Sequence, residues 1–302
     1  MNIDNILNKL KNKETLETND LKLLLDKGAE LFKAEPNIIQ VTAPATIVGD
    51  VHGHFYDLLK LFETNGEIGD KKYIFLGDYV NRGVFSVLSF CYLVSLKIKF
   101  PDQIIMLRGN HESRQICEVY GLKTEIERIY SNTDPLDWLI ETFYNLPLAA
   151  IINNTILCIH GGISDLIKTI DDIETIDRFQ EVPTTGKFTD LLWSDPTEEV
   201  EMYKESPRGA GRLFGKKVFD EFLEKNNLTL VIRSHMYVEE GYKYHFGEEK
   251  CLTIFSSPKY SFSCNNVGAV LNIDQDLNRT FKVFEGVPDE EKDLSFLKEV
   301  KK

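Results

Sequence analysis

The chain has 302 residues, of which 42% are hydrophobic, so it can bury one large core or two small ones. Its formal charge of −13 at pH 7 disfavours nucleic acid as a partner, because phosphate backbones require clustered lysines and arginines. We see no apolar segment long enough to cross a bilayer, no secretory leader and no CxxC spacing among the five cysteines. We therefore expect a cytoplasmic protein with reduced thiols and no membrane partner, and the nucleus stays open as a further location.

The first part of the chain has a helical pattern that Pro36 interrupts, and we expect a helical region over residues 1–40. A repeated pattern follows, in which a short apolar strand ends in glycine and polar residues and a helix comes next. It occurs in "ATIVGDVHG", "YIFLGDYVNRG" and "IIMLRGNHE". Alternation of this kind predicts an α/β fold whose ligands gather at the carboxyl ends of the strands.

From about residue 149 the chain is richer in strand patterns, several of them close enough for antiparallel pairing. They are "AAIINNTILCIHGG", "LTLVIRSHM", "YKYHFG", "CLTIFSS", "VGAVLNID" and "FKVFEG". No linker or repeat divides the chain, so we expect a single domain over residues 1–302 with its core at about residues 45–285. The charged segment 287–302 is expected to be a peripheral tail.

Four of the six histidines stand at the ends of predicted strands, beside acids, amides or small residues. Asp50 and His52 flank Val51, so both side chains point to one face of an extended strand end. The other members of this set are Asp78, Asn110, His111, His160 and His235. Carboxylate, imidazole and amide groups together suit Mn, Fe or Zn, and the lack of cysteine disfavours a structural zinc site.

These segments resemble a known signature. "GDVHG", "GDYVNRG" and "GNHE" are similar to the metallophosphoesterase motifs GDxHG, GDxxDRG and GNHE. "HGGIS", "LLWSDP", "SPRGAG" and "SSPKY" narrow the resemblance to the phosphoprotein phosphatases acting on phosphoserine and phosphothreonine, with most similarity to the type 2A catalytic subunit. The resemblance implies one catalytic domain with a central β-sandwich of mixed sheets flanked by helices, in four layers ordered α/β/β/α.

The resemblance also implies two divalent metal ions. Asp50, His52 and Asp78 would hold the first ion. Asp78 would bridge to the second, and the side chains completing that ion would be Asn110, His160 and His235. Two cations that share a carboxylate can lower the pKa of a water and supply the hydroxide that attacks phosphorus directly.

Four residues would bind the substrate phosphate, namely Arg82, Asn110, Arg208 and Tyr260. Arginine suits this role because its planar fork gives two hydrogen bonds to a tetrahedral anion. Taken alone, both arginines are also typical of surface ion pairs. Trp193 and Asp195 are expected to give structural support.

His111 would be the general acid that protonates the leaving alkoxide, and here the chain departs from the family pattern. Relatives have aspartate at position 81, whose charge orients and stabilises the protonated ring, whereas this chain has Asn81. Losing such support typically lowers a rate by about 10–100-fold, and losing the acid outright by about 10²–10⁴-fold. We therefore expect a protein serine/threonine phosphatase of reduced activity.

Two other functions remain open. Asn81 could make the protein a catalytically impaired phosphate-binding or scaffold protein, or the chain could hydrolyse small phosphoesters such as nucleotides. The partners that the resemblance implies are phosphoprotein substrates and regulatory or scaffold subunits. Further departures from the family pattern include Ser234, in place of alanine in "RAH", and His54, in place of glutamine.

Overall fold

A computed structural model describes residues 1–66, 68–69 and 71–294. The α-helices are α1 (Ile3–Lys11), α2 (Thr18–Ala34), α3 (Phe55–Asn65), α4 (Ser86–Lys99), α5 (Arg114–Tyr120), α6 (Leu122–Tyr130), α7 (Asp134–Tyr144), α8 (Ile170–Glu174), α9 (Lys187–Trp193) and α10 (Lys216–Lys225). Two short 3₁₀ helices are Tyr260–Phe262 and Asp289–Glu291. Within the described ranges, every helix is too short or too polar to cross a bilayer.

The strands are β1 (Ile38–Val41), β2 (Ala45–Val48), β3 (Lys72–Phe75), β4 (Ile104–Met106), β5 (Ala149–Ile152), β6 (Ile156–Ile159), β7 (Asp195–Pro196), β8 (Tyr203–Glu205), β9 (Arg212–Phe214), β10 (Leu230–Arg233), β11 (Tyr242–Tyr244), β12 (Cys251–Ile254), β13 (Gly268–Ile273) and β14 (Arg279–Phe284). A six-stranded sheet has the order β1-β5-β6-β10-β12-β11, and a five-stranded sheet has the order β14-β13-β2-β3-β4. A third sheet has the order β7-β9-β8.

The two large sheets pack face to face, and the alternation of side chains along each strand builds the layers. In β6, Ile156 and Cys158 join the core between the sheets. Leu157 and Ile159 point the other way, into a core covered by α8, α9 and α10. On the far side, Tyr73 of β3 packs into a core with α1, α2, α4 and α7. The predicted α/β/β/α sandwich of mixed sheets is confirmed.

The sheets bring the predicted site residues to one edge. β2, β3 and β4 are parallel neighbours, and so are β6, β10 and β12, so within each group the carboxyl ends lie side by side. Asp50 follows β2 and forms a bridge with Phe255, which follows β12 of the other sheet. The strand ends of the two sheets therefore meet at this edge.

The N-terminal helical region is shorter than predicted. α2 ends at Ala34, and Ile38–Val41 form a strand that pairs in parallel with β5. Pro36 stops the helix, and the β-branched residues after it favour an extended chain that extends the six-stranded sheet.

The described part of the segment predicted as a peripheral tail is anchored to α3. Lys292 is buried, and its Nζ donates to Asp57 Oδ2 of α3 at 3.0 Å. The N–H of Val287 donates to Asp57 Oδ1 at 2.6 Å. Residues 295–302 of that prediction lie outside the described residues.

Candidate active site

The loops after the strands hold site residues in strained backbone conformations. His52, Asp78 and His235 have φ angles of 48°, 54° and 66°. Such conformations cost about 1–3 kcal/mol each and cluster at functional sites. Gly77 has a φ of 113°, and a Cβ there would lie 2.5 Å from the backbone nitrogen of Gly109. Only glycine allows this approach, which brings the loops after β3 and β4 together.

Asp78 lies between two sets of donor atoms. Its Oδ2 is 3.6 Å from His52 Nε2, and its Oδ1 is 3.4 Å from His160 Nε2. On the first side, Asp50 Oδ2 lies 3.4 Å from His52 Nε2. On the second side, Asn110 Oδ1 lies 2.8 Å from His160 Nε2. One carboxylate thus faces both sets, one oxygen to each.

Two further imidazoles complete the cluster. His235 offers a ligand atom within 4.8 Å of those of Asp78 and His160, and its buried Nε2 lacks a hydrogen-bond partner in the described part of the chain. His111 offers a ligand atom within 4.8 Å of those of His52 and Asp78. The structure therefore brings together all six residues predicted as metal ligands, with the predicted acid beside them.

Backbone carbonyls determine which nitrogen of two rings faces the cluster. His52 Nδ1 lies 3.0 Å from Val80 O, and His160 Nδ1 lies 2.9 Å from Leu76 O. Because a carbonyl only accepts, each Nδ1 carries the hydrogen, and each neutral ring presents the lone pair of Nε2 to the carboxylates. A nitrogen lone pair that faces a carboxylate oxygen repels it unless a cation lies between the two. The arrangement therefore suits bound cations, and this set of donor atoms suits Mn, Fe or Zn.

The charges of the cluster also fit bound cations. Burial, with the charges of Asp50 and Glu112, raises the pKa of Asp78 well above its ordinary value. Burial lowers the pKa of His160 to about 4, and it lowers the pKa of His235 well below the ordinary value. Neutral imidazoles are the form that binds metal, and a bound cation would favour the ionised carboxylate.

Arg208 is held by a carboxylate on the exposed side of the site. Its Nε donates to Asp195 Oδ2 at 2.6 Å, and the other oxygen of Asp195 accepts from Arg233 Nη2 at 2.6 Å. Arg208 therefore does form an ion pair, as its sequence context alone also suggested. The pair with Asp195 holds the guanidinium in place. Trp193 contacts His235 edge to face, with the ring centroids 5.6 Å apart.

Arg82 is exposed beside the cluster and packs on a residue that the sequence analysis missed. Its guanidinium carbon lies 4.1 Å from the ring centroid of Tyr120, which is itself 5.8 Å from the ring of His111. A cation–π contact at an exposed site contributes about 0.5–1 kcal/mol. The ring of Tyr260 lies 5.1 Å from that of His52. Tyr260 therefore contacts the cluster directly, and Arg82 is linked to it through Tyr120.

Asn81 is buried, but its side chain does not hydrogen-bond the ring of His111. Its Nδ2 donates to the backbone oxygen of His111 at 3.4 Å and lies 3.7 Å from Cys117 Sγ, and its Oδ1 accepts from Leu122 N at 3.0 Å. His111 Nδ1 is buried with no hydrogen-bond partner among residues that the structure describes. Burial lowers the pKa of His111 well below its ordinary value, and the positive charge of Arg82 adds to this effect.

Glu112 organises the site although the sequence analysis gave it no role. Its carboxylate accepts hydrogen bonds from the N–H groups of Asp78, Tyr79 and Gly109 at 2.8, 2.8 and 2.9 Å. Burial nevertheless raises the pKa of Glu112 to about 7. It therefore ties the loop after β3 to the loop after β4, and the signal that could have found it is its place in "GNHE".

Comparisons with known proteins agree with this geometry. Residues 43–239 match the family model described as calcineurin-like phosphoesterase. The chain is 48% identical over 287 residues to the serine/threonine-protein phosphatase 4 catalytic subunit of Saccharomyces cerevisiae, covering 95% of this chain and 92% of the relative. It is 46% identical over 277 residues to the serine/threonine-protein phosphatase ppe1 of Schizosaccharomyces pombe, covering 92% and 90%.

Solved structures extend the agreement to the fold. A protein serine/threonine phosphatase from Saccharomyces cerevisiae with similarity to human phosphatase PP5 gives a TM-score of 0.85 at 34% identity, covering 92% of each chain. A cold-active protein-tyrosine phosphatase of a psychrophilic Shewanella gives 0.61 at 15% identity, covering 85% of this chain and 84% of the other, and shows the fold alone. The similarity to type 2A subunits is consistent with these relatives. The chain belongs to the calcineurin-like phosphoesterases and, within them, to the phosphoprotein phosphatase family of serine/threonine phosphatases.

Proposed function

We propose that the protein is a metal-dependent phosphatase for phosphoserine and phosphothreonine in proteins, with turnover slowed by Asn81. The observation that carries the proposal is the carboxylate of Asp78, which faces His52 with one oxygen and His160 with the other. Two cations that shared it would activate a water and neutralise charge on the phosphate. The residues that would hold them are Asp50, His52, Asp78, Asn110, His160 and His235.

The chain's own groups would bind and orient the phosphate. Arg82 and Arg208 each offer a planar fork to a tetrahedral anion, and Asn110 and Tyr260 would add neutral hydrogen bonds. Because Asp195 holds Arg208 through Nε, that guanidinium is ordered before the substrate arrives. Preorganisation of this kind reduces the entropy lost on binding.

His111 would supply the proton that the serine or threonine oxygen needs in order to leave. Its ring centroid lies 4.6 Å from that of His52, so it stands beside the half of the cluster that Asp50 and His52 form. A carboxylate at position 81 would stabilise the protonated ring, and Asn81 supplies no such charge. We infer a rate penalty of about 10–100-fold, which leaves a slow enzyme.

Substrates, partners and location are part of the same proposal. We propose phosphoproteins as substrates, because the relatives are named as serine/threonine-protein phosphatases. One relative is named as a catalytic subunit, which supports association with regulatory or scaffold subunits. We place the protein in the cytoplasm, with the nucleus as a further location, on the basis of its cysteines, four of which are buried thiols.

One observation favours a second function. Among the described residues His111 Nδ1 has no hydrogen-bond partner, as expected for a phosphate-binding protein without an effective proton donor. Phosphate affinity would then survive, because Arg82 and Arg208 do not depend on that proton.

A three-substrate assay decides between these functions. The metal-stripped chain is given Mn²⁺ and offered a phosphothreonine peptide, nitrophenyl phosphate and a dinucleotide. We expect metal-dependent release of phosphate from the peptide, lost in Asp78→Asn and kept in the exposed control Asp26→Asn. If none of the three substrates were hydrolysed but the protein still bound free phosphate, measured separately, the second function would be favoured. Preference for the dinucleotide would favour a small-molecule phosphoesterase.

A further inference from the structure

Ser234 is a fully buried serine that contacts both large sheets at the site. Its Oγ accepts a hydrogen bond from Asp50 N at 2.9 Å, and it lies within hydrogen-bond distance of Asp50 Oδ1 and, at 2.8 Å, of Ile254 O. The next residue is His235, whose N–H donates to the same Asp50 Oδ1 at 3.2 Å. The two residues that follow β10 therefore both hydrogen-bond Asp50, a proposed metal ligand.

The hydroxyl has one hydrogen and can donate to one acceptor at a time. A carboxylate oxygen is the stronger acceptor, so the hydrogen goes to Asp50 Oδ1 in preference to Ile254 O. Asp50 Oδ1 then accepts two hydrogen bonds, one from the Ser234 hydroxyl and one from the N–H of His235. The other oxygen, Oδ2, is the one that lies 3.4 Å from His52 Nε2.

We infer that Ser234 is a positioning residue, which turns the carboxylate of Asp50 so that Oδ2 is presented to the metal ion beside His52. The inference rests on the proposed function and adds to it a reason for affinity at one of the two ion positions. Groups that orient metal ligands typically change metal affinity by 10–100-fold.

The neighbouring backbone packs closely on the Ser234 hydroxyl. A Cβ at Gly49 would lie 2.8 Å from Ser234 Oγ, so the backbone of the loop after β2 packs directly on the hydroxyl. If alanine replaced Ser234, the N–H of Asp50 would lose the partner that it has here, and Oδ1 would keep a single donor. The carboxylate could then rotate, and Oδ2 would no longer be favoured.

The test is the stepwise affinity of metal-stripped protein for Mn²⁺, followed by electron paramagnetic resonance of the free ion. In Ser234→Ala we expect the dissociation constant of one ion to rise about 10–100-fold, with the other unchanged within about threefold. Asp50→Asn should weaken the same binding step. Alanine is the residue that the family pattern has at this position, so the variant is expected to fold.

Ser89→Ala is the matched control, because Ser89 is another buried serine and its Oγ has no hydrogen-bond partner among the residues described. Its Mn²⁺ binding should match that of the unchanged protein. Wild-type affinity for both ions in Ser234→Ala would overturn the inference. So would equal weakening of both ions with a lower melting temperature of the metal-free variant, which would show a merely structural role. If the unchanged protein bound no Mn²⁺, the proposed function would fail instead.

Discussion

The side chain of Asn81 donates to the backbone oxygen of His111 at 3.4 Å and leaves the imidazole of that residue without a partner on Nδ1 in the described structure. The amide of Asn81 can still hydrogen-bond the backbone of this loop, since its oxygen also accepts a hydrogen bond from Leu122 N. Because an amide is neutral, it cannot stabilise the protonated imidazole as a carboxylate would. The predicted loss of rate therefore arises from weaker proton donation by His111, and the metal-binding cluster around Asp78 is unaffected.

The variant Asn81→Asp tests this relationship through the leaving group. We expect turnover of a phosphothreonine peptide to rise about 10–100-fold, because a charged partner favours the protonated ring. Turnover of nitrophenyl phosphate should rise far less, since nitrophenolate leaves with little help from an acid. The measurement is kcat for both substrates under the same metal conditions.

The control for that experiment is Asn132→Asp, which adds the same charge at an exposed position. It should leave both rates unchanged. If Asn81→Asp accelerated both substrates equally, His111 would not be the proton donor that Asn81 limits.

Replacement of Arg208 by lysine should weaken phosphate binding while the charge is kept. The guanidinium that Asp195 holds would be replaced by a flexible ammonium without the planar fork. Hydrogen bonds to charged groups contribute about 1.5–3 kcal/mol each, so we expect kcat/KM for the phosphopeptide to fall about 10–100-fold. Inhibition by free phosphate should weaken in parallel. Arg279→Lys, on β14, is the control, and an equal loss there would contradict a role for Arg208 in phosphate binding.

The ion pair of Asp57 with Lys292 should make a large contribution to stability. Both side chains are 2% exposed. In Asp57→Asn the lysine would lose its buried carboxylate partner and keep only the exposed Asp289 at 3.8 Å, and breaking such a buried pair costs about 3–5 kcal/mol of unfolding free energy. Chemical denaturation measures the change. The exposed pair of Lys204 and Glu199 is the comparison, and Glu199→Gln should change stability by at most about 1 kcal/mol.

The effect of Asp57→Asn should also depend on pH. Burial would raise the pKa of Asp57, but hydrogen bonding to His54 and the charge of Lys292 lower it below its ordinary value. The ionised carboxylate therefore stabilises the fold fully above the unfolded pKa, and this contribution is lost as the pH falls through the lower folded pKa. The difference between variant and unchanged protein should shrink in acid. A difference that grew as the pH fell would contradict this assignment.

Patterns within short segments predicted much of this molecule. Asp50, Asp78 and Asn110 follow predicted strands, and parallel strands bring their carboxyl ends to one edge. The pattern did not show that the chain becomes a strand at Ile38, because its partner β5 lies more than a hundred residues away. Tertiary pairing decided the structure of that segment.

Contacts between distant segments were beyond the sequence patterns. Ser234 approaches Asp50 across 184 residues, and Lys292 approaches Asp57 across 235. Ser234 stands beside the predicted ligand His235, but no sequence pattern showed that its own hydroxyl would contact Asp50, and none linked Lys292 to Asp57. A lysine in a charged segment is usually solvated, and only the fold shows that this one is buried.

The number of ions bound per chain tests the central proposal most directly. Metal-stripped protein is equilibrated with Mn²⁺, freed of excess and analysed for metal and protein content. We expect two ions per chain in the unchanged protein and loss of both tight positions in Asp78→Asn, because each oxygen of that carboxylate faces one donor set. Fewer than two ions in the unchanged protein, or two still tightly bound in Asp78→Asn, would contradict the account.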